Sequence, residues 1–251
     1  MMSFVEANVW DITKKQFFYK LKSYSGVYSA LLSMHVIAIL FSFNGASSSH
    51  IGSSHLSFTI TYFSGDLALF LTMVWAFIVG FTITKRVYRF SDFAFVGNRL
   101  TGNLSNIIFL MVMSLVGGVT ATLVGVLMKV ILYYYFSLQN AIGNSLFVPP
   151  QELFVGTIVF IFYVFLLSAA GYFFGMMIQF HKSFIVIIPA LFFGSLSLQY
   201  KLAGYEEYVA WFIDFYYNET SFLVFAIKVM ATVGLLFYST ILLSKRMEVR
   251  Q

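Results

Sequence analysis

Few residues in this chain could do bond chemistry. There is no cysteine, which removes disulfides, thiolate metal sites and cysteine nucleophiles. The four histidines are scattered and form no HExxH. His50 and His55 are near enough in sequence to share a metal, but two imidazoles in a serine-rich loop are a weak ligand set. No GxxxxGK[ST] occurs, so the chain has no phosphate-cradling loop of its own. The GxSG pattern of membrane-embedded proteases fails at Gly194-Ser195-Leu196. The EExxxR pattern fails at Glu206-Glu207, where Trp211 stands in the arginine position.

Ionisable residues inside apolar runs are the remaining candidates, because a charge in lipid is costly unless it has a use. His35 lies mid-way along one run and Asp66 early in the next. Lys129 and Lys228 lie near the ends of theirs, where a long stem carries the ammonium to the interface. His35 reads first as a hydrogen-bonded packing residue, and Asp66 as a hydrated carboxylate or the partner of a lysine. A relay of mid-membrane acids, which a proton-driven pump needs, is missing.

The elements that position these residues follow from composition. Apolar residues make up 60% of the chain and charged residues 10%. A soluble domain carries about 25% charged residues, so this chain cannot cover a soluble surface. Several apolar runs exceed the roughly 18 residues that mark a membrane helix. They do not alternate in polarity as barrel strands do. The expected class is an all-α membrane protein with one transmembrane domain over residues 1–251. Acids at Glu6 and Asp11 precede the first apolar run, unlike a cleavable signal peptide.

Six spans are expected, near Gly26–Phe43, Tyr62–Thr84, Leu104–Phe136, Glu152–Phe180, Ser183–Leu198 and Ser221–Ser244. The third is about 50 Å long at 1.5 Å per residue, more than a bilayer core. It must tilt, bend at Gly117-Gly118 or project into the cytosol. The fifth is short and carries Pro189. Residues 1–25 mix Trp10, Phe17 and Phe18 with Lys14, Lys15, Lys20 and Lys22, the pattern of an interfacial helix on an anionic leaflet. Basic residues cluster in that tail, in the loop holding Lys85, Arg86, Arg89 and Arg99, at Lys182, and at Lys245, Arg246 and Arg250. By the positive-inside rule these lie on the cytoplasmic side, with both termini inside. This distribution fits topology better than nucleic-acid binding.

The opposite loops differ among themselves. Asn44–Ser57 reads as a flexible polar loop and Pro149-Pro150 as a stop before the fourth span. Residues 200–220 combine Tyr205, Tyr208, Trp211 and Phe212 with acids, and read as a re-entrant excursion into the outer interface. Gly117, Ala121 and Gly125 share a helix face, and Gly171 and Gly175 form GxxxG. Both stripes allow close helix approach, within the chain or between subunits.

One polar stretch separates two long spans: KRVYRFSDFAFVGNRLTGNLSN, Lys85 to Asn106. Ser91 and Asp92 can cap a short helix. Phe93, Ala94, Val96, Gly97 and Leu100 give it an apolar face beside Arg99, and Gly102-Asn103 break it before the third span. This amphipathic helix would lie on the cytoplasmic side, within a loop at 85–103, and its apolar face calls for a protein or lipid partner.

The layout resembles the membrane (permease) subunits of ABC-2-type exporters over nearly the full length. RFSDFAFVGNRLTGNLSNIIFL is most similar to the coupling segment of small Gram-positive permeases that export antimicrobial peptides and phenol-soluble modulins. The resemblance implies that ATP and Mg are bound by a separate ATPase subunit, and that this chain holds no cofactor and is not itself an enzyme. It implies a pairing with a second copy or homologue in a bacterial plasma membrane. It makes a helix at about Ser91–Thr101 the coupling helix, with Asp92, Phe93, Phe95, Arg99 and Leu100 as contacts. It makes Tyr205, Tyr208, Trp211 and Phe212 a gate on the outer side. A membrane sensor or immunity protein that binds toxic peptides without moving them is the alternative.

Overall fold

The computed structural model describes residues 8–43, 47–53, 56–62, 65–85, 87–88, 98–135, 149–190, 194, 215–216, 219 and 221–246. Its long helices are α1 (Val9–Ser23), α2 (Ser25–Ser42), α3 (Asp66–Ile83), α4 (Arg99–Tyr135), α5 (Pro150–Phe180) and α6 (Phe222–Arg246). The last five, α2 to α6, are long and apolar enough to cross a membrane. Helices are what such runs must form, because lipid offers backbone groups no other partner. The chain is thus a helical membrane protein, with one small hairpin, between α2 and α3, among the described residues.

Local signals set the helix ends. The Asn8 side chain accepts from Trp10 N–H at 3.1 Å and starts α1. Asp11 in its first turn and Lys20 and Lys22 in its last suit the helix dipole. Tyr24, at φ −94° and ψ 46°, redirects the chain into α2. Its buried ring meets Tyr88 and Phe109 edge-on, with centroids 4.7 and 5.6 Å apart. Pro150 occupies the first turn of α5, where its missing N–H costs nothing.

Several expectations need correction. The stretch expected as a flexible polar loop is instead strand β1 (Ser47–Ser53) paired antiparallel with β2 (Leu56–Tyr62), Ser47 facing Tyr62 and Ser53 facing Leu56. Alternation of Leu56, Phe58, Ile60 and Tyr62 with Ser57, Thr59 and Thr61 is a strand period that outweighs the serine content. Tyr62 therefore belongs to β2, and the second span begins at Asp66. Gly102-Asn103 do not break a helix: α4 is continuous for 37 residues from Arg99 and runs through Gly117-Gly118. It is about 55 Å long. Of the short fifth span, the described part is a helix at 184–190 and a helical residue at 194.

The bundle is built on a tight seam between α3 and α5. A side chain at Gly80 would collide with the Ser168 carbonyl, and one at Gly171 with the Phe77 carbonyl. A side chain at Gly175 would overlap Thr84. The GxxxG pair therefore serves packing within the chain. Gly117 lies against Trp75, and Gly118 against Ile161, so α4 closes onto the same seam. Trp75, Phe109, Leu110, Met113 and Tyr172 fill the space between. α6 turns Phe225, Val229, Val233 and Phe237 inward and Leu223, Ile227, Leu235 and Leu242 outward, an apolar exterior suited to lipid.

Phe225 near the start of α6 meets Phe162 and Tyr163, while Phe237 further along meets Phe165 and Tyr172. The contacts advance in the same sense, so α5 and α6 run parallel. Gly171→Val should destabilise the protein by about 1–3 kcal/mol or more, because the Phe77 backbone cannot give way. Gly234→Val, where nothing lies within 4 Å, should be near neutral. Thermal unfolding of both variants in nanodiscs measures the contrast.

Candidate functional site at the basic end of the bundle

The face that α1 turns inward is polar. Thr13, Gln16 and Lys20 recur at three- and four-residue spacing and are fully or almost fully buried. Trp10 and Phe18 are exposed. The helix expected to rest on lipid through its apolar side thus also holds the bundle through its polar side. The surface it meets is the opening of α4.

There the Lys20 ammonium donates to Ser105 Oγ and to Asn106 Oδ1, both at 2.6 Å. The Ser105 hydroxyl gives its hydrogen to the Gly102 carbonyl at 2.9 Å, which leaves its oxygen free to accept. Asn106 Nδ2 donates to the Tyr172 hydroxyl at 3.1 Å, and that hydroxyl donates to Asn103 Oδ1 at 2.8 Å. Donors and acceptors match along the whole chain of bonds. A buried ammonium is tolerable only with such partners. The same partners explain why Asn103 stays helical: its amide is satisfied by tertiary contact, so it has no need to cap or break the helix.

Other bonds gather the remaining helix ends here. Arg99 Nη1 donates to the Ser244 carbonyl at 2.9 Å, joining the first turn of α4 to the last turns of α6. The Gln179 amide donates to the Thr84 carbonyl, joining the end of α5 to the end of α3. The ends of α1, α3, α5 and α6 thus meet the beginning of α4. The basic positions Lys14, Lys15, Lys20, Lys22, Lys85, Arg99, Lys182 and Lys245 lie on or beside these ends.

Of the coupling candidates, Asp92, Phe93 and Phe95 lie outside the described residues. Arg99 and Leu100 belong to the first turn of α4 and not to a separate helix, because the Asn98 carbonyl already accepts from Gly102 N–H and the Thr101 hydroxyl. The gate candidates Tyr205, Tyr208, Trp211 and Phe212 also lie outside. His35 is buried, with Nε2 3.1 Å from the Thr72 hydroxyl. That hydroxyl donates to the Ala68 carbonyl at 2.7 Å, so the hydrogen between them belongs to His35 Nε2. Asp66 is exposed at the start of α3. The Lys228 ammonium pairs with Glu219.

The sequence does not bring Lys20, Asn103, Asn106 and Tyr172 together: Lys20 reads as one of the tail lysines and Asn103 as part of a helix break. Their available signal was the spacing of Thr13, Gln16 and Lys20, together with three polar residues at the head of an apolar run. Among the described residues no three His, Cys, Asp or Glu side chains group as metal ligands. The site's capacity is mechanical and electrostatic: Lys20 and its partners fix α1, α4 and α5 to one another, and Arg99 adds α6. Comparison with protein-family models, curated proteins and solved structures finds no match.

Asn106→Leu should cost more stability than Lys20→Met. The first takes the Asn106 acceptor from a buried ammonium that keeps Ser105, about 1.5–3 kcal/mol, and breaks the bond to Tyr172 as well. The second leaves only neutral acceptors unmet, about 1–3 kcal/mol. Denaturation midpoints in nanodiscs give the order.

Proposed function

We propose that this chain is the membrane subunit of an ATP-driven exporter whose ATPase is a separate protein. The observation that carries the reading is the linkage at the basic end. The described chain enters this region at Lys85 and Tyr88 and leaves it at Arg99. A partner that pushes on the loop between them acts directly on α4. From α4 the displacement reaches α6 through Arg99 and Ser244, α1 through Lys20, and α5 through Asn106 and Tyr172. Nucleotide-driven closure of an ATPase needs a mechanical contact of this kind to bias the two states of a pathway.

The six-span reading draws support from helix direction. α5 and α6 run parallel, and α6 ends beside the start of α4, so α5 ends and α6 begins at opposite ends of the bundle. In this reading the side of the basic clusters is the cytoplasmic side by charge, and both termini belong to it. The cargo consistent with the resemblance is an amphipathic peptide moved outward across a bacterial plasma membrane by a pair of such subunits.

Phe93→Ala combined with Arg99→Glu should leave the protein folded in the membrane and abolish co-purification with its ATPase and peptide-stimulated ATP hydrolysis. Retained association and transport in that double variant would remove the loop from the coupling role. A chain that binds peptide in nanodiscs but recruits no ATPase would instead be a sensor.

A further inference from the structure

The lysines of α1 are of two kinds. Lys20 is buried on the face turned toward α4, whereas Lys14, Lys15 and Lys22 are exposed on the opposite face. Among the described residues none of these three has a carboxylate partner. At 3.6 residues per turn Phe18 stands near the middle of that face, Lys14 and Lys15 flank it, and Trp10 and Tyr19 mark its margins. All three aromatic side chains are exposed. Asp11, Lys14, Lys15 and Phe18 together line a shallow groove.

The place of this face is fixed from two sides. α1 is not among the helices long and apolar enough to cross a membrane, and α2, which is, begins at Ser25, two residues after α1 ends. α1 is therefore held at the bilayer boundary. Its lysines cannot be left in hydrocarbon, and exposed tryptophan, tyrosine and phenylalanine beside lysine suit the headgroup level. At that level an ammonium draws anionic headgroups. The Lys20 tie adds a further condition: because its bonds to Ser105 and Asn106 fix the rotation of α1, Lys14 and Lys15 face outward before any ligand arrives. Binding there has no helix to order first.

We propose that Lys14, Lys15 and Phe18 form a binding site for one anionic phospholipid. The two ammonium groups close on the phosphate from either side, and the Phe18 and Trp10 rings lie along the glycerol and the upper acyl chain. Asp11, in the same groove, repels the phosphate and limits the affinity. The site concerns the chain's contact with its own membrane and goes beyond the exporter reading.

The test is native mass spectrometry of the full chain in neutral detergent, offered phosphatidylglycerol and phosphatidylcholine in equal amounts. The unsubstituted chain should retain phosphatidylglycerol in preference. Lys14→Gln/Lys15→Gln should lower that preference about tenfold, with circular dichroism unchanged because both side chains are exposed. Asp11→Asn should raise it. Lys85→Gln/Lys245→Gln, which removes the same charge elsewhere at the basic end, should leave it as it was. Inorganic phosphate in large excess should not displace the lipid, because it lacks the apolar contact with Phe18. An unchanged preference in Lys14→Gln/Lys15→Gln, an equal loss in Lys85→Gln/Lys245→Gln, or displacement by inorganic phosphate would overturn the proposal.

Discussion

An ammonium taken out of water must find hydrogen-bond acceptors, and the geometry of this bundle's basic end depends on how Lys20 finds them. Its acceptors, Ser105 and Asn106, belong to α4, so α1 is anchored by a charge and not by grease alone. Apolar contact between helices in lipid gives little orientation, because lipid chains are as apolar as leucine. A charged donor between two fixed oxygens gives both position and rotation. It also turns the apolar residues Trp10 and Phe18 outward, where an interfacial helix needs them.

The polar tie works because the helices behind it are rigid. Gly80, Gly171 and Gly175 bring the α3 and α5 backbones into contact, and Gly117 and Gly118 let α4 close on the same seam. Tyr172 sits where the two systems join. Its ring is buried with Phe237, while its hydroxyl lies between Asn103 and Asn106. The opening of α4 is thereby tied to α5 through Asn103, Asn106 and Tyr172, and to α6 through Arg99. At the far end of α6 the restraint is a mostly buried lysine held by one carboxylate, one carbonyl and one ring.

The spans were legible because long apolar runs admit one solution in lipid, and α2, α5 and α6 begin and end within about two residues of where hydropathy placed them. The hairpin was hidden by composition: serine content suggested a loop, whereas the period-two pattern of Leu56, Phe58, Ile60 and Tyr62 specified a strand. The start of α4 was misread for a deeper reason. Gly102-Asn103 is a breaker when its polar groups face water, but Asn103 has Tyr172 as a partner, and that partner lies far along the chain. Lys20 was misread for the same reason. Counted as one of several tail lysines it indicates topology, and only the fold shows that it is buried.

Because the chain has no cysteine, paired cysteines can be introduced for spin labels without first removing a native one. Labels at Lys15 on α1 and Lys245 at the end of α6 report whether Lys20 holds these helices as one unit. Double electron–electron resonance in nanodiscs should give a single narrow distance with Lys20 present. It should give a broadened distribution with Lys20→Met, while the circular dichroism of the two proteins stays alike. The same narrow distribution in both would contradict the claim that the buried ammonium organises the basic end.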